Sequence, residues 1–150
     1  MSFFNSINVS ASGLTAQRLR MDIISSNIAN INTTRTGDGG PFRRRTVLMQ
    51  EQRGGIVSPF STQLDNFMTR QVQGDGVRVT AVLPDMSEGP RMFEPGHPDA
   101  DEDGYVQMPN VNVVTEMVNM IAASRSYEAN ITAINTTRSM LQSTLQIGGR

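Results

Sequence analysis

Near the C-terminal end, the positions Met117, Met120, Ser124, Tyr127, Ile131, Ile134, Arg138, Leu141 and Leu145 recur at alternating steps of three and four residues. That is the a/d seam of a heptad repeat, the pattern of a helix that turns one stripe toward another helix. Asn112 is suited to an N-cap, Glu116 places negative charge in the first turn, and Gly148-Gly149 stops the helix where a left-handed residue is needed. The pattern predicts one helix over Asn110–Gly149, on the order of 50 Å long. A single domain of this size does not easily cover such a helix, so its seam needs a partner.

That partner is predicted at the other end of the chain. Ile7, Leu14, Met21 and Ile28 are spaced seven residues apart, with Ile24 and Ile31 in the second seam position, which predicts an amphipathic helix from about Ser6 to Asn30. The stretch Asn27-Ile28-Ala29-Asn30-Ile31-Asn32-Thr33-Thr34-Arg35 nearly repeats as Asn130-Ile131-Thr132-Ala133-Ile134-Asn135-Thr136-Thr137-Arg138. The offset that superposes the two copies also places Ile24 on Tyr127, so both helices carry their seams in one frame.

Punctuation separates these ends from the middle. All 7 prolines fall between Pro41 and Pro109, and most of the 13 glycines lie between Gly37 and Gly104, so the ends are helical and the middle is not. Gly13 is the exception, and it lowers helix propensity by up to about 1 kcal/mol. The middle opens with a turn over Thr36–Pro41. A β-like segment follows around Thr46-Val47-Leu48-Met49, then a Gln, Ser and Gly rich loop from Gly54 to Gly76. Val77, Val79, Ala81 and Leu83 alternate on one face of the best strand in the chain. Short strands at Arg91–Phe93 and Tyr105–Met108 are expected to pair with it, making a small β element that caps the two helices.

The polar faces of the end segments carry little charge. Met1–Arg35 has Arg18, Arg20, Asp22 and Arg35; Asn110–Arg150 has Glu116, Arg125, Glu128, Arg138 and Arg150; Ser, Thr and Asn fill most of the rest. A helix face that stays in water usually carries long charged side chains, which are good helix formers, whereas exposed Ser, Thr and Asn are poor ones. Their use fits faces that pack against other chains and hydrogen-bond across the contact. All 13 basic residues are Arg, the better interface cation because its planar fork bonds bidentately, although codon bias explains the same count.

Composition narrows the chemistry. A net charge of −1 gives no overall attraction to nucleic acid or an anionic membrane, and with no cysteine, disulfides and thiolate catalysis are excluded. Arg43-Arg44-Arg45 is too short a basic run, in an acid-balanced chain, to suggest nucleic acid. His97 is the only histidine, and no serine has a convincing His base. Asp99, Asp101, Asp103 and Gly104 match the first half of a calcium loop, but Asn110 stands where the bidentate Glu belongs, and the simpler reading is an acidic surface turn. The N-terminus has no basic region followed by a continuous apolar core, and no apolar run approaches the ~20 residues of a membrane span. No enzyme activity and no cofactor is expected.

Several stretches resemble one family. They are Ser10-Ala11-Ser12-Gly13-Leu14-Thr15-Ala16-Gln17, Ser26-Asn27-Ile28-Ala29-Asn30, Gly39-Gly40-Pro41-Phe42-Arg43-Arg44, Glu94-Pro95-Gly96-His97-Pro98-Asp99, Pro109-Asn110-Val111-Asn112-Val113 and Ser124-Arg125-Ser126-Tyr127-Glu128-Ala129-Asn130. Together they are similar to the rod proteins of the bacterial flagellar basal body, the Pro-Gly-His-Pro and Pro-Asn-Val-Asn stretches to its proximal members in particular. The resemblance implies a non-enzymatic subunit that leaves the cell through the flagellar type III export apparatus without a cleavable signal peptide. In the periplasm it would polymerise into a helical tube around the export channel and pass motor torque to the hook. Implied partners are copies of itself, other rod proteins, the basal-body adaptor protein and the membrane-ring protein.

The expectation is a mainly α chain with a small β element, its long N- and C-terminal helices packed as a coiled coil around an irregular middle. Residues 1–35 and 110–150 serve assembly, and 36–109 form the loop- and β-rich part. The assembly seams are assigned to Ile7, Leu14, Met21, Ile24, Ile28, Ile31, Met117, Met120, Tyr127, Ile131, Ile134, Leu141 and Leu145. The competing expectation is a soluble helical hairpin whose β head binds a partner. Limited proteolysis separates the two: a subunit made to be covered by its neighbours is cleaved at both ends in dilute solution, whereas a self-sufficient hairpin resists.

Overall fold

The computed structural model describes residues 3–37, 39–52 and 76–148. Helix α1 spans Phe3–Ala29 and helix α2 spans Val113–Gly148. Between them lie four strands: β1 (Arg45–Glu51), β2 (Val77–Pro84), β3 (Arg91–Phe93) and β4 (Tyr105–Gln107). The predicted loop from Gly54 to Asp75 lies outside the described residues.

Helix α2 starts where its cap predicts, with the Thr115 N–H donating to Asn112 Oδ1 at 3.1 Å and the Glu116 N–H to the Asn112 carbonyl at 3.0 Å. Its 36 residues make it about 54 Å long. Helix α1 ends in a tightened turn. There the Asn30 side chain bonds back to the Ser26 carbonyl, Ile31 N–H reaches only to Ile28, and Thr33 Oγ1 donates to Asn30 Oδ1. The chain then reverses through Gly39 and Gly40, both at positive φ (83° and 79°), and returns with Phe42 N–H on the Thr33 carbonyl.

The two helices pack antiparallel: Gly13 of α1 lies against Asn130 of α2, and Asn27 against Glu116. Gly13 therefore does more than weaken a helix. A Cβ there would come within 3.0–3.2 Å of the Asn130 side-chain amide, so the missing side chain leaves room for that amide between the helices.

Along α2 the covered positions are Glu116, Asn119, Met120, Ala123, Ser124, Ser126, Tyr127, Asn130, Ile134, Thr137 and Leu141. Of the seam positions read from the sequence, Met120, Ser124, Tyr127, Ile134 and Leu141 are covered and Met117, Ile131, Arg138 and Leu145 are exposed, while Glu116, Ala123, Asn130 and Thr137 are covered one residue before a seam position. Small and polar residues at these positions allow a close approach, and Ala16, Ile24 and Ala123 are buried between the elements.

Strands β1 and β2 form an antiparallel two-stranded ribbon. Between the pairs Leu48–Ala81 and Met49–Val79 the register shifts by one, leaving Thr80 as an extra residue. The ribbon does not cap the helices. It lies along α1, pinned where Asn27 meets Arg45 and where the Val77 N–H donates to Ser12 Oγ at 3.0 Å. Val47, Met49, Val77, Val79 and Ala81 are partly covered while Leu83 is exposed, so three of the four residues expected on one face of β2 are sheltered.

The pairing predicted for the short strands is corrected by the structure: β3 and β4 pair antiparallel with each other and not with β2. The proximity is local, since Gly104 at +79° closes the connection and leaves Phe93 and Tyr105 edge to face at 5.2 Å. Gly89 sits flush on the chain after β4, where a Cβ would overlap the Met108 carbonyl oxygen.

These two glycines respond differently to a methyl group. Gly89→Ala meets backbone that cannot move aside and is expected to lose about 1–3 kcal/mol in chemical denaturation. Gly13→Ala meets a side-chain amide that can swing away, and the helix propensity it gains, about 1 kcal/mol, keeps the net change small.

Candidate functional site

Where the two helices and the ribbon meet, their polar groups join in one buried cluster. Glu116 is 1 % exposed, yet both of its carboxylate oxygens are occupied. Oε1 accepts from Arg44 Nε at 2.9 Å and Nη2 at 2.8 Å, and Oε2 accepts from Asn27 Nδ2 at 2.9 Å. Asn27, fully buried, also treats β1 as a strand would: its Oδ1 accepts from the Arg45 N–H and its Nδ2 donates to the Arg45 carbonyl, both at 2.9 Å. One residue earlier the Arg44 N–H donates to Asn110 Oδ1 at 2.8 Å, and Asn110 Nδ2 reaches the Asp85 carbonyl and Ser87 Oγ.

The Ser87 backbone N–H, and after it the Ser87 hydroxyl, bond to Asp85 Oδ1 and hold the Asp85 carboxyl below the usual carboxylate range. A carboxyl lowered in this way favours the fold above its unfolded value, and the contribution is lost only as pH falls through the lowered one.

A second tie joins the segment after α1 to the Pro-Gly-His-Pro turn. Thr34 Oγ1 donates to Asp99 Oδ2 at 2.9 Å, Arg35 lies 3.7 Å from Oδ1, and the Asp99 N–H donates to His97 Nδ1 at 3.1 Å. Asp99 is thus engaged by side chains of the same chain, and among the described residues no cluster of His, Asp or Glu is arranged to hold a metal.

The predicted seam residues divide into two sets. Ile24 is buried, and Ile7, Leu14, Met21, Ile28, Ile31, Met120, Tyr127, Ile134 and Leu141 are partly covered within the chain. Met117, Ile131 and Leu145 are left 55 %, 38 % and 73 % exposed. They are joined by Val114, Val118, Ile121, Met140 and Ile147, so α2 carries an apolar surface that α1 does not cover. The hydroxyls beside it are already used: Ser126, Thr132, Thr136, Thr137, Ser139, Ser143 and Thr144 each donate to the carbonyl four residues back. Their protons are turned into the helix, so these hydroxyls are left to hydrogen-bond across a contact as acceptors.

Two segments of the chain match family models. Residues 7–35 match the one described as flagella basal body rod protein, and residues 102–147 match the flagellar basal body rod FlgEFG protein C-terminal. Over nearly its whole length the chain is similar to proteins named flagellar basal-body rod protein FlgC. It is 47 % identical to that of Borreliella burgdorferi over 98 % of both chains, and 44 % to that of Bacillus subtilis over 99 % of both. To that of Salmonella typhimurium it is 39 % identical, again over 99 % of both. The chain belongs to the flagellar basal-body rod proteins, in the FlgC group. These are structural proteins and not enzymes.

The first family match covers most of α1 and the turn after it, and the second covers β4 and nearly all of α2. The residues of the buried cluster lie in stretches that carried the resemblance, namely Asn27, Arg44 and Asn110, yet sequence reasoning gave them no role, and it read Glu116 only as a charge for the helix dipole. In the frame read from the sequence Glu116 stands one residue before the seam position Met117, so only the phase seen in the structure turns it inward. Such a residue is buried only if something pairs it.

Glu116→Leu alone leaves Arg44 without its anion and is expected to cost about 3–5 kcal/mol, lessened because the Arg44 side chain keeps 26 % of its exposure. The double substitution Glu116→Leu with Arg44→Leu is expected to recover much of that loss. Chemical denaturation of the four proteins of this cycle measures both.

Proposed function

We propose that this rod-family subunit polymerises head-to-tail into the proximal part of the flagellar rod, a helical tube that surrounds the export channel and carries motor torque to the hook. The observation that carries the proposal is the uncovered apolar surface of α2, eight large side chains from Val114 to Ile147 on a helix whose outer face has few charges. An isolated soluble hairpin gains nothing from such a surface, whereas a subunit that buries it against neighbours does. Ile7, Leu14, Met21, Ile24, Ile28, Ile31, Met120, Tyr127, Ile134 and Leu141 then hold the hairpin together, and Met117, Ile131 and Leu145 face neighbouring chains, the helices of successive copies packing as coiled coils.

Contacts that do not close on themselves generate a helix of subunits, which is the geometry a tube needs. Other rod proteins, the basal-body adaptor protein and the membrane-ring protein are its neighbours at the two ends of such a segment. Passage through the flagellar type III export apparatus to the periplasm completes the proposal. Among the described residues no helix is long and apolar enough to cross a membrane.

Ile131→Asp tests it. Ile131 is exposed in the single chain, so a charge there leaves the hairpin intact by circular dichroism but is expected to abolish assembly and motility. Normal motility of that variant would overturn the proposal.

A further inference from the structure

The β1–β2 ribbon has two outer edges, and only one of them is protected. Because the Asp85 N–H donates to the Arg44 carbonyl and the Gln52 N–H to the Gly76 carbonyl, the even-numbered residues of β1 turn their backbone groups toward β2. Arg45, Val47, Met49 and Glu51 turn theirs away. The outward edge of β2 is interrupted three times: Pro84 has no N–H, Thr80 is the extra residue of the bulge, and the Val77 N–H is spent on Ser12 Oγ. On β1 the Asn27 amide takes both outward groups of Arg45. The next two residues in the row, Val47 and Met49, have no partner for theirs among the described residues.

This open stretch borders a groove lined by Val47 and Met49 of β1, Arg20 and Ile23 of α1, and Glu116 and Asn119 of α2. Its volume, about 220 Å³, is below the ~300 Å³ at which small-molecule sites begin, so it suits the side chains of a passing strand better than a separate ligand. Arg44 and Arg45 also face it, and the balance of charge is positive. Arg44 is neutralised by Glu116, whereas neither Arg20 nor Arg45 forms an ion pair among the described residues. Glu51, at the far end of β1, limits the positive stretch.

We propose that the outer edge of β1 takes a third strand, an extended segment of a neighbouring protein that carries carboxylates at alternate positions. Its backbone bonds the N–H and carbonyl groups of Val47 and Met49, continuing the row that Asn27 begins, and every second side chain enters the groove toward Arg20 and Arg45. Backbone pairing supplies affinity with little regard to sequence, and the two arginines select for acid. A helix is the wrong occupant, because its own backbone groups are already bonded to one another and it has none to offer Val47 and Met49. The contact lies beside the Glu116 junction, where three parts of the fold are tied together. It does not require the polymer proposed above, so each can fail without the other.

The test mixes the unaltered chain with a fluorescent, end-blocked peptide of alternating Asp and Val, and separately with the same peptide carrying Asn for Asp. Fluorescence anisotropy measures binding, and amide hydrogen exchange followed by NMR locates it. The Asp peptide is expected to bind at concentrations up to about 1 mM, and at least about tenfold more weakly to Arg20→Gln, as the Asn peptide does to the unaltered chain. With the Asp peptide bound, the Val47 and Met49 amides exchange more slowly, whereas those of Thr46 and Leu48, already in the ladder with β2, change little. No binding of the Asp peptide, or binding that ignores both Arg20→Gln and the change to Asn, overturns the proposal. Binding that leaves Val47 and Met49 unprotected overturns it too, since the peptide then sits elsewhere. So do Val47 and Met49 amides already as slow as those of Thr46 and Leu48 in the free chain, since the edge is then covered by the chain itself. Polymerisation stands or falls apart from all of these outcomes.

Discussion

The fold depends on a carboxylate that has left water. Glu116 sits at the first inward position of α2, and its burial is tolerable only because Arg44 brings two N–H donors and Asn27 a third. The three residues come from three different places in the fold. Asn27 belongs to the last turn of α1, Arg44 stands at the entry to β1, and Glu116 opens α2, so satisfying one charge sets three elements in register. Asn110 extends the tie to the end of β2, and the Asp85–Ser87 turn follows. A wholly apolar junction would be at least as stable, but it would tolerate a shift by a turn; the hydrogen-bond geometry does not.

Around this junction there is little conventional core. Among the described residues the buried apolar side chains are Ala16, Ile24, Phe42, Val106 and Ala123, three of them at the packing of α1 with its neighbours or of α2 with α1. The helices approach through Gly13 and small residues, which gives close contact but buries limited area. Much of the apolar surface that would stabilise an ordinary domain of this size is on the outside of α2. The hydroxyl protons of its C-terminal half are folded back onto its own carbonyls, which leaves Asn135, Arg138, Gln142 and Gln146 as the exposed side chains there that carry N–H donors. That suits a family of rod proteins, in which the neighbours provide what the single chain lacks.

Much of the local structure was legible in the sequence. The prolines and glycines marked the middle as non-helical, Asn112 marked the start of α2, alternation over Val77–Leu83 marked β2, and the turn at Thr36–Pro41 needed its glycines. The pairing of β3 with β4 was missed because two three-residue strands carry no register of their own; only the closeness of their ends, closed by Gly104, decides it. The position of the ribbon was missed for a similar reason. Strand patterning shows that one face is sheltered but not by what, and it is Ser12 and Asn27, both unremarkable polar residues in a helix, that fasten the ribbon along α1.

The period of the helices was set by the sequence alone, because a seven-residue recurrence of apolar positions leaves a helix no other way to bury them. The phase was not. Helix α2 carries apolar residues on two adjoining stripes, and which one turns toward α1 is decided where Gly13 admits Asn130 and Asn27 meets Glu116. The near-repeat shows the same division. Asn130–Arg138 continues as helix, with Asn130 bonding its own Ser126 carbonyl, while Asn27–Arg35 leaves the helix after Ala29. Asn30 in place of Ala133 favours that exit, but what enforces it is the docking of β1 on Asn27 and of Phe42 on Thr33. Such contacts come from residues distant in the chain and exist only once it has folded.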